Sequence, residues 1–231
     1  MPEDFRNDFE RDLEAALRDI AGVATVSIYP FIRRREKIAN AIDEAYIHPC
    51  EQEIAIASEE IKINWPIIAK KEEGIWRPRL NPDAARAIHF DMSINRDTTG
   101  IAIGHICDYV ERKISEGGEL VEEMFPCFHI DFMLKIKPKS GDEIIYSELR
   151  KLLYDFVDHG FNIRYVSCDQ FQSHDMLTIL KGQGFDTSQI SLDNSIEPYE
   201  TLKTAFYDDR IKMYRYKPAI VTGKQIGRAH V

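Results

Sequence analysis

Cysteine is scarce in this chain of 231 residues: Cys50, Cys107, Cys127 and Cys168 lie far apart, with no Cys-x-x-Cys pair. That argues against a structural zinc site of the usual spacing and for a reduced, intracellular setting. Long apolar runs are missing too. No stretch approaches the roughly 18 uninterrupted apolar residues of a membrane helix, and no signal peptide opens the chain. Positive charge is not in excess: 30 Lys and Arg stand against 39 Asp and Glu, a net charge of −9. Such a balance argues against coating nucleic acid by bulk charge, but not against a site that holds metal ions with carboxylates. Gly-x-Ser-x-Gly, His-Glu-x-x-His and the Gly-x-x-x-x-Gly-Lys-Ser/Thr phosphate loop are all absent. Thr222-Gly223-Lys224 lacks the upstream strand and glycine such a loop needs, so no ATPase site is visible.

What remains is an ordinary globular mixture, 44% hydrophobic and 30% charged. At about 150 residues per domain, the length allows one large domain, or one with an appendage. Phe5, Phe9, Leu13, Ala16, Leu17 and Ile20 recur at helical spacing, with Asp4 as N-cap and Gly22 as stop. A second helix is predicted over Arg35–Tyr46, broken by His48-Pro49. Residues 1–81 therefore read as a helical arm or linker, 82–217 as the main domain, and 218–231 as a tail. Two basic knots, Arg33-Arg34-Arg35 and Arg210, Lys212, Arg215, Lys217, read as solvated faces.

The main domain opens with three strand runs, Ala87–Ile94, Thr99–Tyr109 and Phe128–Ile136, separated by Asn95-Arg96-Asp97 and by the polar stretch Glu111–Glu119. Three strands without an intervening helix predict an antiparallel meander. Alternation follows: a helix capped by Ser147 and ended by Gly160, a strand over Phe161–Cys168, a helix capped by Ser173, a short strand at Gln189–Leu192, and a helix with Pro198 in its first turn. The order β-β-β-α-β-α-β-α predicts an α/β domain with a five-stranded mixed sheet flanked by helices, the ribonuclease H-like arrangement. Many functions share that arrangement, so chemistry must come from the residues.

Two acids interrupt apolar strands. Asp91 stands late in the first strand and Asp169 ends the fourth. A carboxylate there costs several kcal/mol of desolvation unless it is paired or holds a cation. These strands are parallel neighbours in the expected topology, about 4.8 Å apart, which brings both acids together. Two close carboxylates repel, and a divalent ion resolves the conflict; hard oxygen ligands favour Mg²⁺ or Mn²⁺. The competing reading is that both acids merely cap turns. Asp97 is either a further metal ligand or a turn residue. His89, His105 and His129 with Asp131 sit on strands, where histidines are usually structural.

Four segments carry a resemblance. Ala16–Val23, then His89-Phe90-Asp91-Met92-Ser93 with Asp97 and Gly100-Ile101-Ala102, then Val166–Ser173, then Glu197–Lys203 resemble, in order and spacing, the nuclease domain of the large terminase subunit of tailed bacteriophages. The resemblance implies a metal-dependent endonuclease that cuts concatemeric double-stranded DNA during packaging. Asp91 and Asp169 would be its catalytic metal ligands and Asp97 a third. It also implies a two-metal site, the portal and small terminase subunit as partners, a possible homo-oligomer in the motor, no membrane, and the host cytoplasm during virion assembly as the place of action. Two family features, a preceding ATPase domain and a third acid on a C-terminal helix, have no counterpart in this sequence. Ile226–Val231 reads like a translated sequencing adapter, as in an incomplete metagenomic fragment. Two other readings stay open: a non-catalytic module docking on DNA or portal, and another ribonuclease H-like nuclease of the resolvase type, with Asp208 or Asp209 as its last acid.

Overall fold

The computed structural model describes residues 31–50, 54–56, 61–92, 98–116, 119–137, 145–169, 174–190, 196–215, 220–221 and 224–225. The expected helix over Phe5–Ile20, the Ser173 cap, Asp97 and the Ile226–Val231 ending fall outside them. The described residues from Arg35 onwards belong to one compact unit, and everything below concerns it.

The strands of the meander are β5 (Arg86–Asp91), β6 (Thr99–Glu116) and β7 (Glu119–Lys137), and they pair antiparallel in sequence order. Strand β8 (Ile163–Cys168) joins β5 in parallel, and β9 (Asp186–Gln189) joins β8 in parallel. Five consecutive strands thus run β7-β6-β5-β8-β9, the ribonuclease H-like order expected from the sequence. The sheet then grows to eight strands. β10 (Ile211–Arg215) pairs parallel to β7, β1 (Ile42–Ile47) pairs parallel to β10, and β2 (Ile54–Ile56) pairs parallel to β7 further along. A small hairpin of β3 (Ala69–Glu72) and β4 (Ile75–Pro78) stands apart, as do the short antiparallel β11 (Ile220–Val221) and β12 (Lys224–Gln225).

Five helices punctuate the described chain: α1 (Arg35–Ala41), α2 (Trp65–Ile68), α3 (Tyr146–Asp158), α4 (His174–Gly182) and α5 (Glu197–Tyr207). The core forms where the apolar faces of α3 (Leu149, Leu152, Leu153, Phe156) and α4 (Met176, Leu177, Leu180) meet Ile88, Phe90, Ile101, Ile103, Phe132, Leu134 and Val166 of the sheet. A smaller cluster joins Ala41, Ala205 and Ile211 to Phe128 and Ile130.

Several local expectations change. The helix predicted to reach Tyr46 stops at Ala41, because Ile42–Ile47 is recruited as a strand by β10; pairing in the sheet overrides local propensity. Most of the polar stretch 111–119 is strand, since β6 reaches Glu116 and β7 begins at Glu119. The two strands pair as a long ribbon, with Arg112 opposite Glu123 and Lys113 opposite Glu122 in register, the latter an ion pair at 3.2 Å. Ser147 lies inside the first turn of α3 rather than at its cap, which is Ile145. The last short strand falls earlier, at Asp186–Gln189. Gly160 does end α3: its φ is +81°, and a Cβ there would stand 2.2 Å from the Trp76 carbonyl oxygen.

Candidate active site

Strand β5 alternates cleanly: Arg86, Ile88 and Phe90 are buried, while Ala87, His89 and Asp91 face the other side. Asp91 is the final residue of β5, and Asp169 directly follows β8. Phe90 stands opposite Cys168 in the parallel register, and the Asp169 backbone N–H donates to the Phe90 carbonyl at 3.3 Å. The two acids therefore leave neighbouring strands at the same sheet edge. Asp91 is exposed and Asp169 half-buried.

One side chain senses both. His89 shares a 2.8 Å hydrogen bond between its Nδ1 and Ser167 Oγ, across the same strand pair. Burial pushes its ring below the ordinary histidine value, and the charges of Asp91 and Asp169 each pull it back up. Both carboxylates thus lie within electrostatic reach of one imidazole. Among the described residues, neither acid forms an ion pair with Lys or Arg.

Space around Asp91 is open on the side of β6. Gly100 is its cross-strand partner, and a Cβ built there would approach the Asp91 Cβ to 3.6 Å and its Oδ2 to 4.0 Å. Lys135 of β7 stands opposite Gly100 and is exposed. Asp91, Gly100 and Lys135 form one row across three strands, with the cation two strands from the acid, about 9.6 Å by strand spacing. Lys135 drew no attention in the sequence, since nothing local marks it; only the register aligns it with Asp91.

The remaining titratable residues gather elsewhere. Arg86, fully buried, donates from Nε to Asp131 Oδ2 at 3.2 Å, and from its other nitrogens to the carbonyls of Leu80, Asn81 and Ala84. His105 Nδ1 shares a 2.7 Å hydrogen bond with the same Asp131 oxygen, and His129 Nδ1 lies 3.6 Å from Asp131 Oδ1. A β-bulge makes this possible. Ile103 pairs with Phe132 and Gly104 with Ile130, so Asp131 is the extra residue that turns in beside Phe132 towards the core. Burial raises the Asp131 carboxyl, but the His105 hydrogen bond, the neighbouring His129 ring and the Arg86 charge together hold it below its usual value. His105 and His129 were expected to be structural; neither the bulge nor their convergence on one carboxylate is visible in one dimension.

The second basic knot dissolves into separate contacts. Arg210 is buried, with Nη1 donating to the Pro126 carbonyl at 2.6 Å and Nε to Asp208 at 3.2 Å. Lys212 Nζ donates to the Asn40 carbonyl, and Arg215 pairs with Glu44. Arg210 is thus no part of a solvated face, Lys212 and Arg215 are exposed but fasten β10, and Lys217 lies outside the described residues. Asp208 and Asp209 are likewise engaged, by Arg112 and Arg210 and by Lys37.

No protein-family profile matches the sequence, and no curated protein matches it either. Solved structures do. The chain is similar to the HK97 bacteriophage large terminase at 14% identity over 80% of its own length, with a TM-score of 0.43. It spans about a third of that protein, covering 34% of its chain. It is also similar to the large terminase nuclease from thermophilic phage G20c, at 11% identity over 82% of this chain and 77% of that one, with a TM-score of 0.45. The same nuclease with bound magnesium gives 11% identity and a TM-score of 0.43.

Proposed function

We propose that this domain is a metal-dependent DNA endonuclease of the terminase kind, with Asp91 and Asp169 as its metal-binding catalytic pair. The observation that carries the reading is their juxtaposition: two acids at the ends of neighbouring parallel strands, on the open face, with Phe90 and Asp169 joined through their backbones. The donor set suits the group. Two carboxylates without a basic partner among the described residues are hard oxygen ligands whose mutual repulsion a divalent ion relieves, and Mg²⁺ or Mn²⁺ prefers such ligands.

The chain's own side chains then divide the work. Asp91 and Asp169 bind and orient from two strands held in fixed register. His89, whose charged form burial disfavours, is anchored by Ser167 across the same strand pair. Lys135, exposed on the same row, offers a point charge to a phosphate of the substrate backbone. When bound, divalent ions supply a nucleophile from water at neutral pH and neutralise charge on the phosphodiester. Double-stranded DNA is the substrate in this reading. The portal, the small terminase subunit and sister copies are its partners, and the host cytoplasm is its place of action.

The test is cleavage of supercoiled plasmid in Mn²⁺, run beside Mn²⁺ titration by calorimetry. Nicking that chelator stops and that Asp91→Asn removes is the expected result. Unchanged cleavage by a folded Asp91→Asn, Asp169→Asn double variant would overturn the assignment. Mn²⁺-independent DNA binding without cleavage would favour the docking module instead.

A further inference from the structure

From the geometry we infer a second metal site, for a first-row transition ion such as Zn²⁺, formed by His105, His129 and Asp131 on the opposite face of the sheet. One ligand atom from each of these residues lies within 4.8 Å of the other two, and all three residues are buried. The site is separate from the carboxylate pair. Arg86, which touches Asp131, stands five residues before Asp91 on β5 and points to the other face. At about 3.3 Å per residue that is roughly 17 Å along the strand.

The unsatisfied atoms argue for an occupant. His129 has neither ring nitrogen in a hydrogen bond, although its side chain is only 8% exposed, and His105 Nε2 is unpartnered with the His105 side chain at 0%. Burying polar nitrogens without partners costs about 1–3 kcal/mol each, so three in one place call for a ligand. Chemistry narrows it. Two imidazoles and one carboxylate are borderline nitrogen and oxygen donors, which suit Zn²⁺ and its neighbours and are poor ligands for Mg²⁺. The His129 Nδ1 to Asp131 Oδ1 separation of 3.6 Å is close to the ligand–ligand edge of about 3.3 Å set by tetrahedral bonds of about 2.0–2.1 Å.

The surroundings hold these donors in place. His105 and His129 face each other in the β6–β7 register, with ring centroids 5.4 Å apart. The Tyr46 ring meets the His129 ring edge-on at 4.9 Å, and Tyr46 Oη donates to the Asp131 carbonyl. Arg86 and the His105 Nδ1 contact both use Asp131 Oδ2, so Oδ1 is the oxygen turned towards His129. Three protein donors leave one position to water. A bound ion would pin the bulge in β7 to β6 at the root of the long ribbon.

The experiment uses the whole chain, stripped with chelator, and takes Zn²⁺ and Co²⁺ as probes against Mg²⁺. Zn²⁺ at hundredfold excess over its dissociation constant should raise Tm by about 5 °C or more, whereas Mg²⁺ should not. Co²⁺ should give the visible absorption of a tetrahedral site at one equivalent. The Asp91→Asn, Asp169→Asn double variant should keep both responses, which separates this site from the proposed nuclease centre. His129→Phe, which keeps a ring against Tyr46, should lose both. An unchanged Tm with Zn²⁺ in the unmutated chain would overturn the site and leave buried water as the partner of the histidines. Retention of the Co²⁺ spectrum in His129→Phe would overturn it as well.

Discussion

The backbone N–H of Asp169 donates to the carbonyl of Phe90 at 3.3 Å, tying the end of β8 to the penultimate residue of β5. Because the link is between backbones, either acid can be changed without undoing it. Asp91→Asn and Asp169→Asn should therefore each leave Tm nearly unchanged. Each should also lower Mn²⁺-dependent cleavage by at least about 100-fold, since several kcal/mol of charge stabilisation go with the lost charge. Plasmid nicking with a thermal melt on the same samples checks both halves.

Lys135 offers a different signature. Lys135→Glu should weaken binding to a short duplex uniformly across sequences and reduce the salt dependence of that binding by about one phosphate contact. Fluorescence anisotropy at several salt concentrations measures it. A duplex affinity and salt slope equal to the unmutated chain would remove Lys135 from the site.

Asp131 should be the costliest single carboxylate to lose. Its replacement by Asn leaves the Arg86 guanidinium buried without a counter-charge, and removing one partner of a buried pair costs about 3–5 kcal/mol. Denaturant unfolding in the presence of chelator reads this directly. By contrast, Glu122→Gln on the exposed ribbon should change stability by no more than about 1 kcal/mol.

Gly160 should resist substitution where Gly184 tolerates it. Both have positive φ, +81° and +93°, but a Cβ at Gly160 meets the Trp76 carbonyl at 2.2 Å and one at Gly184 meets nothing within 4 Å. Gly184→Ala should cost about 1–2 kcal/mol from its backbone conformation alone. Gly160→Ala adds a clash with backbone and should cost more than about 2 kcal/mol. Paired urea melts settle the difference.

Thiol chemistry should follow burial. Burial pushes the Cys50 thiol up to about 12, so at pH 8 it stays protonated and unreactive in the folded chain. Cys107 and Cys127 are partly exposed and should be alkylated first, with Cys50 and Cys168 labelled only on unfolding. The sign of the linkage follows: the folded chain keeps the Cys50 proton longer than the unfolded one. Stability should therefore fall as pH rises from about 8.5 towards 12. Mass spectrometry of timed alkylation, and melts between pH 8 and 10, test the two statements.

The sequence by itself determined the order of elements and the parity of side chains along each strand. Alternation of Arg86, Ile88 and Phe90 with Ala87, His89 and Asp91 already assigns opposite faces, because a strand repeats every two residues. The helices α3 and α4 were legible for the same reason, at a different period, although Val157 and Ile179, which share that periodicity, are exposed. The adjacency of Asp91 and Asp169 followed from topology, since a right-handed crossover returns the fourth strand beside the first. Partners far away in sequence were decided only by tertiary structure. Ile42–Ile47 looks helical until β10 offers it a strand edge, and the charged stretch 111–119 looks like a loop until Lys113 meets Glu122. Asp131 reads as one more acid on a strand until a single extra residue in β7 turns it onto Arg86, His105 and His129. Periodicity is a local property that a chain carries in its own order. Register and bulges depend on which strand lies alongside, and only the assembled sheet supplies that.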